Sequence, residues 1–438
     1  MATYKNLRKV LNLPTLSASP SSGVNGEMYF NTTDSALYIY DGSWKKATQS
    51  ELPGPDWTAA AQQAKLVASD AQASDAFGFS VSIEGDTLVV GAWYEDAGGS
   101  NAGAAYVFTR SGTSWSQQAK LVASDAQAGD EFGNAIAISG DTVVVGAYAE
   151  DTGGSGAGAA YVFTRSGTTW SQQAKLQASD KGTYDYLGMS VAIDGNTVVA
   201  GAFYEDSGAS DAGSATVFTR SGTTWSQQAR LTASDPQAND QFGYSISISS
   251  DTVVVGANNE DTGGTEAGAA YVFTRSGTSW SQQAKLQASD KAAGDQFGYS
   301  VSISSDTVVA GAPLEDAGGN EAGAAYIFTR SGTSWSQQAK IVAANAGELD
   351  SFGTSVDIDG DSVIVGAWRE DTKASDGGAV YVFTRSGTSW SQQKLLTASD
   401  VPADARFGHA VAVDGKTAVG TSKLVDSGAG AAYAFLAG

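Results

Sequence analysis

One dipeptide returns at a fixed interval through most of the chain. Phe-Gly begins at Phe77, Phe132, Phe242, Phe297, Phe352 and Phe407, Leu187 stands in once, and each step is 55 residues. The tryptophans Trp115, Trp170, Trp225, Trp280, Trp335 and Trp390 keep the same step, as do the arginines Arg110, Arg165, Arg220, Arg275, Arg330 and Arg385. Seven copies in one register demand seven equivalent units that stack on one another.

Within one copy, "FGNAIAI", "TVVVGA", "AAYVFTR" and "WSQQAKL" are separated by Gly-, Asp- and Ser-rich joints, so each copy reads as four short strands. "TVVVGA" is apolar at successive positions, as a strand covered on both faces must be. "WSQQAKL" sets Trp170, Gln172, Ala174 and Leu176 against Ser171, Gln173 and Lys175, the alternation of an outer strand, where the lysine would discourage edge-to-edge pairing. The expected fold is all-β: a seven-bladed β-propeller of four-stranded blades over 57–438. A parallel β-helix has much shorter coils. The last copy stops after its third strand, and "DWTAAAQQAKL" near the start holds the missing fourth. Trp57 to Leu66 is therefore expected to pair beside Ala431 to Phe435 and close the ring. Three extra residues between Trp57 and Lys65, relative to Trp115 and Lys120, must bulge or form a turn.

Composition narrows the chemistry. The chain has no cysteine and one histidine, His409, which removes thiolate and histidine-cluster metal sites and cysteine nucleophiles. A formal charge of -22 opposes phosphate backbones and anionic lipid, so nucleic acid is not an expected partner. No run approaches the ~18 apolar residues of a membrane span, and the N-terminus lacks the apolar core of a secretion signal, so no membrane insertion is expected.

Phe132-Gly133 followed by "VVVGA" and "GAAYVF" resembles the FG-GAP repeat of integrin α-subunit propellers and of many bacterial and phage proteins. That resemblance implies calcium in a D-x-D-x-D-G loop between the first two strands. The nearest match here is Asp357, Asp359 and Asp361, which a two-residue Asp-Gly hairpin explains as well. "SGTTW" shares Gly-x-Thr-Trp with the box of sialidase propellers, but Phe163 and Arg165 stand where that box has Ser and Asp. No sialidase constellation can be assigned. No cofactor is required on this reading, and Ca2+ is the one candidate ion.

Strand order places the joints after strands two and four on one face of the ring. That face receives most of the carboxylates, Asp130, Glu150 and Asp151 among them, and the other receives the repeated arginines. The acids either cap tight turns or bind divalent cations or a basic partner. The pair after each "GA" changes while its surroundings do not: Trp93-Tyr94, Tyr148-Ala149, Phe203-Tyr204, Asn258-Asn259, Pro313-Leu314, Trp368-Arg369 and Ser422-Lys423. A second changing set follows Phe-Gly: Phe79, Asn134, Met189, Tyr244, Tyr299, Thr354 and His409. These side chains either pack between blades or form an exposed aromatic surface for a glycan or protein ligand. The candidate ligand residues are Trp93, Tyr94, Tyr148, Phe203, Tyr204, Asn258, Asn259, Trp368, Arg369, Tyr244 and Tyr299. His409 reads as a packing residue.

Residues 1–48 form a separate module, with 49–56 as linker. "GEMYFNTTDSALYIYDGSWKKAT" alternates aromatics between turn signals and reads as a small β-meander. It resembles short modules of bacteriophage tail fibres and other virion appendages. That resemblance implies a non-enzymatic virion structural protein, with the N-terminal module docked to other virion or tail proteins as a homotrimer. The propeller then faces outward to a host-surface glycan or protein. The alternatives are a virion decoration subunit without receptor binding and a bacterial surface adhesin.

Overall fold

The computed structural model describes residues 54–316 and 318–438. Before residue 54 it describes Ser43 and the backbone of four strands, Thr15–Leu16, Met28–Asn31, Ala36–Tyr40 and Trp44–Lys46. Two compact units divide at Pro55 and Asp56. In the first, the last three strands form an antiparallel meander, and Thr15–Leu16 adds in parallel beside Met28–Asn31. Most of the linker expected at 49–56 lies outside the described residues. No helix among the described residues is long and apolar enough to cross a membrane.

The second unit is a ring of seven four-stranded antiparallel sheets. In blade two the strands are Ile136–Ser139, Thr142–Ala147, Ala159–Ser166 and Thr169–Leu176. Thr142–Ala147 is buried at every position, as its unbroken apolar run requires. Six of the seven blade interfaces are sealed by aromatic edges. Phe132 meets Tyr161 and Phe163 edge-on at 5.6 and 5.9 Å, and the same trio recurs in every blade but the third. There Leu187 and Thr216 replace both partners together. The glycine of Phe-Gly is obligatory: Gly133 has φ +99, and a Cβ there would lie 2.4 Å from the Ala104 carbonyl oxygen.

The outer strand departs from strict alternation. A bulge opposite Val162 and Phe163 leaves Gln173 as an extra residue, and the same irregularity recurs in all seven blades. Consecutive glutamines can then both turn toward neighbouring blades. Gln172 Oε1 accepts from the Ser124 amide at 2.9 Å, and Gln118 accepts from Trp170 Nε1 at 2.8 Å. The first of these bonds occurs seven times around the ring, the second six. Lys175 is not an exposed edge charge: it pairs with Asp125 and the buried Glu150, both at 2.7 Å.

The ring closes between the two ends of the propeller, with one correction. The strand is Ala61–Leu66, paired with Ala432–Leu436, and Trp57 lies outside it in a short 3-10 turn, Trp57–Ala59. The extra residues form that turn. They carry Trp57 into the core at 1% exposure, where its Nε1 donates to Ser362 Oγ at 3.0 Å. Elsewhere the matching hydroxyl receives an arginine, for example Arg385 to Thr307 at 2.9 Å. Ala437 stands at the arginine position of blade seven, and the Trp57 indole supplies the donor it lacks.

Candidate ligand-binding site

The repeated arginines are occupied by the fold. Arg165 Nε donates to Asp141 at 2.7 Å and its NH1 to Thr87 at 3.0 Å, while its guanidinium lies 5.1 Å from the centre of the Trp170 ring. A notch of about 440 Å³ between blades three and four contains Arg220 and Arg275, held respectively by Asn196 and Thr142, and by Asp251 and Thr197.

The acids expected to crowd around a cation are likewise engaged. Asp130 accepts from the Gln127 amide at 2.7 Å, and burial raises its carboxyl above the usual range. Glu150 accepts from the Thr152 amide, Lys175 and Gln177, and Asp151 from the Gly156 amide. Asp357, Asp359 and Asp361 reach different partners. Asp357 accepts from Ser302 Oγ at 2.8 Å and the Val413 amide at 2.7 Å, Asp359 from the Gly415 amide, and Asp361 from Arg385. Among the described residues no three His, Cys, Asp or Glu side chains are arranged to hold a metal ion. This donor set therefore does not fit calcium, because each carboxylate serves as a turn cap, a blade tie or an ion-pair partner.

The changing positions come together on the face bearing the second-strand ends. A path of ring contacts runs from Trp368 to His409 at 6.0 Å, on to Phe79 at 5.1 Å and Trp93 at 3.9 Å, then to Tyr148 at 6.4 Å. It continues through Tyr186 at 5.4 Å, Phe203 at 5.9 Å, Tyr244 at 6.0 Å and Tyr299 at 5.0 Å. Tyr94 stacks on Trp93, and Tyr204 lies beside Phe203. The arc takes at least one ring from every blade.

Both readings of these positions are partly realised. Phe203, Asn258 and Pro313 are buried, whereas Tyr204 is 36% exposed, Tyr184 55%, and most of the other rings are half-buried. Asn258 donates to Asn259 and joins no aromatic contact among the described residues. Asn134 is a structural tie. Its Nδ2 donates to the Gly188 carbonyl at 2.9 Å, doing what Ser80, Ser190, Ser245, Ser300 and Ser355 do at their own blade junctions. Thr421 completes that ring of seven bonds to Gly78. The arc is thus mounted on a stitched inner wall, which fixes its rings in place.

Several members were not on the candidate list. Tyr184, Tyr186 and Glu131 join at blades two and three, and Arg406 and Lys423 at blade seven. His409, read as a packing residue, is a link in the path. Three of these occupy a third changing set, immediately before Phe-Gly: Ala76, Glu131, Tyr186, Gln241, Gln296, Ser351 and Arg406. All seven have φ between +55 and +58, yet none is glycine. A Cβ kept seven times in left-handed backbone, at about 1–2 kcal/mol each, marks a position where the side chain matters.

The second unit is therefore a closed propeller with an aromatic mouth on one face. The chain belongs to the FG-GAP repeat family: the repeat matches at residues 60–108, 115–163, 170–218, 225–273, 280–328, 335–383 and 390–435. Each match begins with an outer strand and ends with the third strand of the next blade. The sequence unit and the blade are one strand out of phase, so the first strand of the ring, Ala61–Leu66, belongs to blade seven. Such a propeller supports a binding or adhesion role. No curated protein matches the chain.

Proposed function

We propose that the protein is a non-enzymatic attachment protein of a phage virion, whose propeller recognises a glycan or protein on the host surface through its aromatic mouth. The observation that carries this reading is the arc itself. Side chains that change from blade to blade form one connected surface, while their supporting positions stay constant. Binding surfaces are enriched in tyrosine, tryptophan and arginine held on a rigid frame. The spread of equivalent, already engaged carboxylates around the ring argues against a localised catalytic constellation. Placement on a virion, facing outward, rests on the resemblance of 26–48 to tail-fibre modules, and the same resemblance supports docking to tail proteins as a trimer.

Labelled full-length protein added to candidate host cells is the direct test. Saturable binding that Tyr148→Ala and Trp93→Ala weaken together supports the reading. Binding that neither substitution alters would move recognition away from the mouth. Immunogold labelling of purified virions tests the location separately.

A further inference from the structure

One sector of the mouth differs from the rest in charge. Arg406 and Arg369 lie 4.7 and 5.1 Å from the centre of the Trp368 ring, and Lys423 lies 4.6 Å from that of Phe79. His409 bridges the two rings. The ring contacts thus gather three cations in one sector of a strongly acidic protein. None of the three has an ion-pair partner among the described residues, whereas the outer-strand cations Lys65, Lys120, Lys175, Arg230, Lys285 and Lys340 each hold two carboxylates. Arg406 Nε and His409 Nδ1 are buried without a hydrogen-bond partner, as is Trp93 Nε1. The three cations lie over the faces of Trp368 and Phe79, which are weak counterparts to a full charge.

We propose that this sector, between blades six, seven and one, is a subsite for the carboxylate of an acidic saccharide. This deepens the reading of the mouth as a recognition surface and rests on it. Arg406, Arg369 and Lys423 supply the charge-assisted donors, and the hydroxyls of the sugar meet the neighbouring tyrosines. The surroundings choose the ligand class. The same face carries capping carboxylates in every blade but the seventh, so a densely charged polyanion or an acidic protein would meet repulsion on either side. A saccharide with an isolated carboxylate would not. Two side chains register the missing counter-charge. Burial and the Arg406 charge bring the Lys423 ammonium down to about 8, and burial with the Lys423 charge brings His409 down to about 3.

The test uses the full chain, an oligosaccharide carrying one glucuronic acid, and its methyl ester. Binding is read by calorimetry and by the imidazole resonance of His409, the chain's only histidine. The acid should bind about tenfold more tightly than the ester, which loses the charge-assisted bonds, and should shift the imidazole signal. Arg406→Gln and Lys423→Ala should each remove most of that difference. Arg406→Gln installs a residue that the fold already carries at the same offset, Gln241 or Gln296, so unchanged melting is expected of it.

Equal binding of acid and ester overturns the subsite while leaving a neutral ligand at the mouth. Polyglutamate binding without saccharide binding overturns the ligand class. Failure of the acid to bind at all overturns the proposal, whereas the broader reading stands or falls on cell binding.

Discussion

The rim and the mouth of this propeller obey opposite rules. At the rim, a lysine or arginine between an aspartate and a second acid recurs in six blades, with ion-pair distances of 2.5 to 2.9 Å. In the remaining blade the lysine position holds Leu395, and the aspartate position has changed with it to Asn345, which donates to Glu370 at 2.8 Å. At the mouth, equivalent offsets carry Trp93, Tyr148, Phe203, Asn258, Pro313, Trp368 and Lys423, with no such compensation; strand pairing puts Ser422, which the sequence pattern suggests for this set, at the position of Ala92 instead. A side chain that must close a hydrogen-bond ring changes only together with its partner. One that merely projects from the ring is free to change alone.

The largest expected effect comes from breaking the frame at its seam. Deleting residues 57–66 removes the fourth strand of blade seven and exposes Ala432–Leu436 as an open edge, so cooperative melting should be lost or the protein should associate through that edge. Differential scanning calorimetry with analytical ultracentrifugation reads both. Trp57→Ala is the gentler form of the same break and should cost about 3–5 kcal/mol for a buried indole, plus the unpaired Ser362 hydroxyl.

Within the rim, Lys175→Met leaves Glu150 buried without its cation. A loss of about 3 kcal/mol in chemical denaturation is expected, and Lys175→Arg should recover most of it, since Arg230 fills this role in blade three.

A smaller effect should appear in pH dependence. Burial raises Asp357 to about 6 from the model-peptide value of 3.8. Between roughly pH 4 and 6 the folded state then holds a proton that the unfolded chain has released, so the contribution of this group is greatest below that window and declines as pH rises through it. Asp70, Asp125, Asp235, Asp290 and Asp400 act in the other sense. Their lysine partners hold them below the usual range, so their contribution is present above the unfolded value and is lost as pH falls through the lowered one. Comparing Asp357→Asn with the parent isolates the first term: the melting-temperature difference should move in favour of the variant from pH 4 to 6. A constant difference would show that Asp357 does not titrate there.

The smallest stability change belongs to the mouth. Tyr148→Ala should alter unfolding free energy by about 1 kcal/mol or less while weakening ligand binding, the reverse of the pattern at Lys175.

Much of the frame was legible because a strict period leaves few architectures, and the missing fourth strand of the last copy pointed to its donor. Other features depend on geometry that letters do not display. Two adjacent glutamines look like alternating faces until the bulge at Gln173 turns both toward neighbours. Trp57 matches the other strand tryptophans by residue type, but it fills a vacancy left by an absent arginine. At the mouth, the pair after "GA" was visible because its flanks are constant. The residues before Phe-Gly were hidden at the end of a linker whose sequence also changes, and only their shared positive φ marks them as one set. Arg369, Arg406 and Lys423 belong to different offsets, so no single repeat position announces the cluster.

The phase shift between sequence unit and blade also sets an order in time. Ala61–Leu66 leaves the ribosome before any blade is complete, yet its partner strand, Ala432–Leu436, is made last among the strands of the ring. At ~5–20 residues per second, that early strand waits roughly 20–70 s for its mate. Throughout that interval the growing propeller is an open crescent. A chain cut short by a stop codon anywhere before the final strand can build blades, but it remains a crescent whose unpaired ends present themselves to chaperones and proteases.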